Sequence, residues 1–235
     1  MSIRENYQEI MEGIEQAALS AGRKPEEITL LAVTKFVEEE RIIQALECGV
    51  THCGESRAQE LTAKLPMFAR YGAELHLIGQ LQTNKVKYVI GKVKTIQSVD
   101  RLELAEEISR LAVKNGLEQN VLIEVNVGGE AQKGGAPIEG LDELIQKVSA
   151  LPGIGVEGLM CIPPVVDEGE TRSYFARMRR LFDDMAGKKM PGVSMKTLSM
   201  GMSGDYRAAI AEGSNMVRIG TALFGARQAR PGGGA

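Results

Sequence analysis

The chain has 235 residues, of which 43% are hydrophobic and 25% are charged, and its formal net charge is −3. This composition is typical of a folded globular protein, and it excludes collagen-like and intrinsically disordered chains. Because the 28 basic and 31 acidic residues nearly balance, the chain lacks the positive charge of a non-specific nucleic-acid binder, and we predict no nucleic-acid partner.

Short apolar runs alternate with amphipathic stretches along the whole sequence. A helix is predicted first, over 4–21, because Ile10, Ile14 and Ala18 recur near helical spacing. Strands are predicted over 28–34, 50–54, 75–79, 95–98, 121–127, 156–161, 197–199 and 216–219. Helices are predicted between them, over 38–47, 56–69, 83–91, 100–115, 138–150, 168–186 and 204–211. For the helix over 100–115 we predict Asp100 as the N-cap and Asn115-Gly116 as the stop.

This alternation indicates the fold class. Strands that alternate with helices favour a parallel sheet covered by helices. Eight strand–helix units of about 29 residues each favour a closed (β/α)8 TIM barrel over an open doubly wound sheet. We therefore predict a single α/β domain over 1–230, with the first helix as an addition before strand one, and a flexible tail over 231–235.

The cysteines and the apolar runs indicate the cellular compartment in which the protein functions. Three cysteines, Cys48, Cys53 and Cys161, in a chain this long favour a reducing, cytoplasmic setting. The N-terminus has no apolar signal core, and no stretch approaches the ~18 consecutive apolar residues of a membrane span. We therefore predict that the protein has no membrane partner.

In a barrel of this kind the chemistry lies after the C-terminal ends of the strands. The last two predicted strands lead into two glycine-containing loops, Ser199–Ser203 and Gly220-Thr221. Backbone N–H groups and hydroxyls in such loops are suited to a phosphate, and barrels often hold one between these two loops. Ordinary glycine turns remain the alternative.

Lys35 directly follows the first predicted strand, which places it at the same end of the barrel. It is either a solvated lysine or, if its stem lies among apolar neighbours, an amine whose lowered pKa lets it attack an aldehyde. A lysine that faces a phosphate site favours a phosphorylated carbonyl compound, either pyridoxal 5'-phosphate (PLP) or a sugar phosphate.

Arg218 lies within the last predicted strand, between Val217 and Ile219. A charge inside a barrel is costly unless it is paired, so a structural ion pair is one interpretation. The other is a cation beside a cofactor ring nitrogen, where a guanidinium would keep a pyridine nitrogen unprotonated.

Nothing in the spacing of the histidines and cysteines indicates a metal. His52 and His76 fit neither C-x2-C nor H-E-x-x-H, and we predict no metal ligands. Both histidines are expected in the core or supporting the site.

These residues lie in longer motifs. In these motifs the chain resembles the pyridoxal phosphate homeostasis proteins, the YggS/PROSC-like family, and the resemblance runs from about residue 5 to residue 227. The main motifs are Leu31-Ala32-Val33-Thr34-Lys35, Gly54-Glu55-Ser56-Arg57, His76-Leu77-Ile78-Gly79, Leu198-Ser199-Met200-Gly201-Met202-Ser203 and Val217-Arg218-Ile219-Gly220-Thr221. Ser56 replaces the asparagine that the second motif usually has. If that amide contacts the cofactor ring in relatives, Ser56 would reach it only through water.

The resemblance implies a barrel of the alanine racemase N-terminal type, with PLP held as a Schiff base on Lys35 and its pyridine nitrogen facing Arg218. The residues it implies for the phosphate are Ser199, Gly201, Ser203, Gly220 and Thr221. Ser56, His76 and Asn84 match further positions near the pocket. The implied role is homeostasis of PLP (vitamin B6) and amino acids in the cytoplasm, without an established reaction and hence without catalytic residues.

Two enzymatic alternatives stay open. A PLP-dependent racemase or decarboxylase of this barrel type needs a second, β-rich domain and a tyrosine base. The sequence ends about ten residues after Phe224, so we expect that domain and its dimer interface to be absent. We accordingly expect a monomer, whose partners beyond PLP would be PLP-dependent apoenzymes. The second alternative is a lysine aldolase that acts on a sugar phosphate.

Overall fold

A computed structural model describes residues 1–130 and 132–225, and it shows a closed barrel of eight parallel strands. Each strand pairs with the next along the chain, and the last pairs with the first. The strands are β1 (Thr29–Val33), β2 (His52–Glu55), β3 (Glu74–Leu77), β4 (Thr95–Val99), β5 (Gln119–Glu124), β6 (Ile154–Met160), β7 (Val193–Ser199) and β8 (Met216–Ile219). The predicted (β/α)8 barrel and all eight of its strands are confirmed. The predicted tail over 231–235 lies outside the described residues.

Helices cover the outside of the barrel. They are α1 (Ile3–Ser20), α2 (Glu39–Glu47), α3 (Ala58–Tyr71), α4 (Leu102–Lys114), α5 (Leu141–Ser149), α6 (Glu168–Gly187), α7 (Tyr206–Ala211) and α8 (Thr221–Phe224). Two short 3-10 helices span Pro25–Glu27 and Thr83–Tyr88. In the described part of the chain, no helix combines the length and the apolar character that crossing a bilayer requires.

One local prediction was partly right and another was wrong. The segment predicted as helical over 83–91 is helical only over Thr83–Tyr88, where it forms a 3-10 helix. Asp100 does not cap α4: the N-cap position is Arg101, and Asp100 instead accepts a hydrogen bond from its guanidinium at 2.6 Å. The predicted stop is confirmed, since Asn115 is the C-cap and Gly116 has φ +64°.

Alternation along each strand separates two hydrophobic clusters. On β1, Leu30 and Ala32 belong to the large cluster between the strands and the helices. Leu31 points the other way, into the barrel, and packs with Ile78 and Met216 in a small separate cluster. The interior of the barrel therefore holds a small apolar cluster, and buried polar side chains such as Gln97 and Arg218 lie there as well.

The predicted extra helix, α1, supports the end of the barrel where β8 runs into α8. Ser2 and Glu5 form a reciprocal capping box that fixes the start of α1. Asn6 Nδ2 donates to the Leu223 carbonyl at 2.9 Å, and the helix packs on α7 and α8. The sequence before β1 thus buttresses the loops that follow β7 and β8.

Candidate functional site

We call the end of the barrel formed by the carboxyl ends of the strands the mouth. Lys35 lies there, half-buried, in the turn directly after β1. The next residue, Phe36, has φ +62°, which is unusual for a residue other than glycine. Its backbone N–H donates to Glu60 Oε2 at 3.0 Å, which ties the turn to α3. The backbone on the C-terminal side of Lys35 is therefore held in a defined conformation.

The backbone on the other side of Lys35 is held by a buried ion pair. Lys64 Nζ on α3 donates to both the Thr34 carbonyl and Glu55 Oε1, each at 2.7 Å. Thr34 Oγ1 donates to the same carboxylate oxygen at 2.8 Å. Glu55 is fully buried, and burial raises its pKa against the opposing effect of Lys64. This network joins β1, β2 and α3 next to Lys35.

The loops after β7 and β8 contact each other. Ser203 Oγ accepts a hydrogen bond from the Ala222 N–H at 3.2 Å, and the Gly201 carbonyl accepts one from the Arg218 N–H at 2.9 Å. Gly201 has φ +93°, and a Cβ there would lie 2.5 Å from a carbon of α7, so only glycine fits. A cavity of about 800 Å³ lies against these loops, with Ser203 and Ala222 in its lining.

The end of β8 also lies beside the end of β1. A Cβ placed on Gly220 would be 3.4 Å from Val33 Cβ, and Val33 is two residues before Lys35. Because β8 and β1 are neighbours in the closed barrel, the loop that carries Gly220 and Thr221 adjoins the turn that carries Lys35. The topology thus brings the lysine and the loop pair to the same side of the mouth.

Arg218 is 3% exposed and lies inside the barrel, where its guanidinium is fixed by two contacts. Nη1 donates to Ser199 Oγ and Nη2 to the Cys161 carbonyl, both at 2.8 Å. Burial lowers the pKa of the guanidinium, whereas Cys161 and Glu124 act in the opposite direction. A guanidinium remains charged under such conditions, so Arg218 places a fixed cation below the mouth.

A line of hydrogen-bonded side chains continues from Arg218 through the interior, and we call it the interior chain: Arg218, Ser199, Gln97, His76 and His52. Ser199 Oγ donates to Gln97 Oε1 at 2.8 Å, and Gln97 Nε2 lies 3.3 Å from His76 Nδ1. His76 Nε2 lies 3.1 Å from His52 Nδ1. Burial lowers the pKa of His76 to about 3, so its ring is neutral.

Glu124, at the end of β5, adds a second titratable group beside Arg218. It is 7% exposed, and its Oε2 has no hydrogen-bond partner among the residues that the structure describes. Burial first and Asp100 second raise its pKa to about 7, against the opposing effect of Arg218. Glu124 can therefore hold or release a proton near neutral pH.

The predicted site residues occupy three places. Lys35, Gly201, Ser203, Gly220 and Thr221 gather at the neighbouring ends of β7, β8 and β1, while Ser199 and Arg218 lie just inside the barrel. Ser56 is half-buried one strand further on, against Gly79. Asn84 is exposed on the 3-10 helix after β3. His76 is connected to Arg218 only indirectly, by the hydrogen bonds through Gln97 and Ser199.

Four side chains that the structure places in or next to the site were not predicted as site residues from the sequence: Glu55, Lys64, Gln97 and Glu124. Glu124 directly follows the apolar run over 121–123 within a predicted strand, which is the kind of signal that drew attention to Arg218. Gln97 gives a weaker signal, because its strand also contains Thr95 and Ser98. Lys64 gives no such signal, because a lysine on an amphipathic helix normally faces solvent.

Comparison with known proteins gives a consistent result. The family model described as "Alanine racemase, N-terminal domain" matches residues 2–228. A protein of Aquifex aeolicus named pyridoxal phosphate homeostasis protein is 45% identical over 229 residues, which cover 97% of this chain and 100% of that protein.

Solved structures agree with this match. PipY of Synechococcus elongatus PCC7942, solved with PLP bound, is 32% identical with a TM-score of 0.79, and the match covers 91% of this chain and 100% of that chain. An alanine racemase of Clostridium difficile has a TM-score of 0.70 at 18% identity, over 96% of this chain and 58% of that chain. The last likeness is one of fold alone.

Proposed function

Since the chain belongs to the family of the alanine racemase N-terminal domain, we propose that it binds PLP at the mouth of the barrel and acts in PLP homeostasis. The observation that carries the proposal is the meeting of three features: the loop pair joined by Ser203, the Lys35 turn beside Gly220, and the buried cation Arg218. They supply the three kinds of group that a phosphate, an aldehyde and a pyridine ring require.

The donor set fits the phosphate of PLP. The loops after β7 and β8 offer hydroxyls on Ser203 and Thr221 together with backbone N–H groups, at the position where barrels of this type often bind phosphate. Gly201 and Gly220 allow close approach of the backbone, since neither carries a side chain at this point. We further propose that Ser56 and Asn84 border the ring from the neighbouring strand ends.

PLP would supply an aldehyde that condenses with the Lys35 amine to a Schiff base with loss of water. The side chains around the ring then determine how reactive the bound cofactor is. Arg218 is a permanent donor, so a ring nitrogen that faces it accepts a hydrogen bond and is not protonated. An unprotonated ring is a weak electron sink, which supports a carrier or reservoir of PLP rather than an enzyme that turns over amino acids.

The test is a reduction and mapping experiment. Full-length protein is incubated with PLP, freed of excess, and reduced with borohydride, and the modified peptide is identified by mass spectrometry. We expect visible absorbance that borohydride removes, and a single label on Lys35. Lys35→Ala should lose both, whereas Lys87→Ala, at an exposed lysine on the 3-10 helix, should keep both. A label on another lysine, or colour that survives Lys35→Ala, would refute the assignment.

A racemase-like enzyme is the second candidate, favoured by the fold shared with alanine racemases and by Glu124, whose pKa of about 7 suits proton transfer. Exchange of the α-proton of amino acids in D2O decides between the two. Exchange at turnover rates that Lys35→Ala and Glu124→Gln both abolish would establish the enzyme. Exchange no faster than with free PLP would support the carrier.

We also propose that the protein is a cytoplasmic monomer that passes PLP to apoenzymes. All three cysteines are free thiols, which fits a reducing compartment. Reactivation of a PLP-dependent apoenzyme by the loaded protein, with a scavenger present to trap released PLP, tests direct transfer. Light scattering coupled to size exclusion gives the mass in solution.

A further inference from the structure

Both histidines of the chain meet at the end of the barrel opposite the mouth. His52 is the first residue of β2 and pairs in register with Glu74, the first residue of β3, while His76 is two residues further along β3 on the same face. His52 Nδ1 lies 3.1 Å from His76 Nε2 and 3.1 Å from Glu74 Oε2. Three side chains of metal-ligating type thus converge on one point.

We propose that His52, Glu74 and His76 form a binding site for a divalent first-row transition metal ion, with Zn²⁺ as the probe. Two imidazole nitrogens and one carboxylate oxygen are a common ligand set for such ions. All three ligand atoms lie within 4.8 Å of one another. An ion about 2.0–2.2 Å from each ligand separates neighbouring ligands by about 3.3–3.6 Å in tetrahedral geometry. The two distances of 3.1 Å found here are a few tenths of an ångström shorter, so small side-chain shifts would admit the ion.

The charge state of the ring nitrogens suits a metal. Burial is the main cause that lowers the pKa of both imidazoles, and the ammonium of Lys94 acts in the same direction on each. Glu74, the facing carboxylate, opposes this for His52. Coordination requires the neutral form of each ring, and burial favours that form.

The interior chain can adopt the proton arrangement that coordination needs. For Nε2 of His76 to face a metal, its proton must sit on Nδ1, which faces the Gln97 amide. Rotation of that amide by half a turn presents Oε1 to this proton and Nε2 to Ser199 Oγ. His76 and Ser199 each keep a hydrogen bond, and only the weak contact of Nε2 with Met216 Sδ is lost. An imidazole oriented by a carbonyl oxygen on its far side is the usual arrangement for metal-binding histidines.

Lys94 is the competing cation. Its Nζ lies 2.5 Å from Glu74 Oε2, so a metal ion must displace it. The two side chains are 46% and 41% exposed, and an ion pair this exposed contributes little stability. The same exposure, with His52 at 21%, gives an ion a route from solvent and leaves room for water to complete the coordination.

Calorimetric titration of the full-length protein, stripped of metal and then freed of chelator, tests the site with ZnCl2. We expect one ion per chain, and Co²⁺ should give visible absorption bands typical of nitrogen and oxygen ligands in low coordination. His52→Ala should weaken Zn²⁺ binding at least tenfold. Lys94→Met should strengthen it at least threefold, because the competing ammonium is gone.

Two further variants make the result unambiguous. Cys48→Ser is the matched control, since Cys48 is a half-buried thiol outside the cluster and its loss should leave the affinity unchanged. If circular dichroism shows that His52→Ala does not fold, Glu74→Gln, at a partly exposed side chain, takes its place as the ligand variant. Absence of binding at 100 μM Zn²⁺ (roughly 5.5 kcal/mol of binding free energy), or a change below tenfold in the folded ligand variant, would overturn the proposal.

Discussion

Replacing Lys64 with methionine should destabilise the protein strongly, although Lys64 is a lysine on a surface helix. The ammonium makes two hydrogen bonds of 2.7 Å, and the Glu55 carboxylate beneath it is fully buried. Glu55 Oε2 has no hydrogen-bond partner in the described part of the chain, and without Lys64 its Oε1 would keep only the Thr34 hydroxyl. Removing one partner of a buried ion pair costs about 3–5 kcal/mol, because the remaining charge is left uncompensated.

That loss should appear in urea denaturation at pH 8 as a lower free energy of unfolding. For a chain of this length it corresponds to a fall in Tm of about 2–4 °C per kcal/mol. The double variant Lys64→Met/Glu55→Gln removes the unpaired charge, and we expect it to recover about 1–3 kcal/mol relative to additivity. Lys114→Met, at an exposed lysine at the end of α4, is the control and should change stability by less than about 0.5 kcal/mol.

The pH dependence gives an independent check. The pKa of Glu55 is already raised by burial, and removal of Lys64 should raise it further. A carboxyl whose pKa is higher in the folded state than in the unfolded state binds its proton more tightly in the folded state. Protonation at lower pH therefore stabilises the folded state relative to alkaline pH. Lys64→Met should therefore be less destabilised at pH 5 than at pH 8. An equal loss at both values, or a loss below about 1 kcal/mol at pH 8, would show that Glu55 is not held as described.

Three other outcomes are expected from the site. Gly201→Ala should cost about 1–3 kcal/mol from its φ of +93° alone and weaken PLP retention, whereas Gly204→Ala, where a Cβ has open space, should do neither. His76 has a folded pKa of about 3, so below pH 6.5 the unfolded state alone binds its proton and stability should fall by up to about 1.4 kcal/mol per pH unit. Denaturation at pH 7, 6 and 5 should show the wild type losing stability relative to His76→Gln with this slope, since the other titrating groups are common to both. Arg218 opposes the raised pKa of Glu124, so Arg218→Met should move that pKa further above about 7. Carboxyl ¹³C NMR measures this pKa directly, and an unchanged value would mean that the two groups do not interact.

The fold could be predicted from the sequence because buried parallel strands are near-continuous apolar runs. β1 is such a run, and β5 contains the apolar run over 121–123. The helical spacing of apolar residues between these runs predicted the alternation of strands and helices. Helix type and capping were less predictable. The 3-10 helix Thr83–Tyr88 shares its apolar spacing with an α-helix, and the start of α4 depends on whether Asp100 turns toward the backbone or toward Arg101.

The sequence predicts which loops form the site, but not which side chains contact each other within it. Lys35 and Gly220 follow strands that are neighbours only once the barrel closes, so the prediction of eight strands already implied their proximity. The interior chain depends instead on strand register and side-chain rotamers. His52 and Glu74 are 22 positions apart and meet only because β2 and β3 pair at those residues, which spacing motifs do not encode.

The separation of the two hydrophobic clusters has a consequence for how this barrel tolerates change. Nearly all of the apolar packing lies outside the strands, between them and the helices, whereas the apolar cluster inside comprises Leu31, Ile78 and Met216. Exchanging polar groups within the lumen therefore alters ligand chemistry while leaving the outer layer intact. Relatives of such a barrel can therefore differ in the ligand they bind through exchanges of interior polar residues, provided that hydrogen-bonded partners are exchanged together.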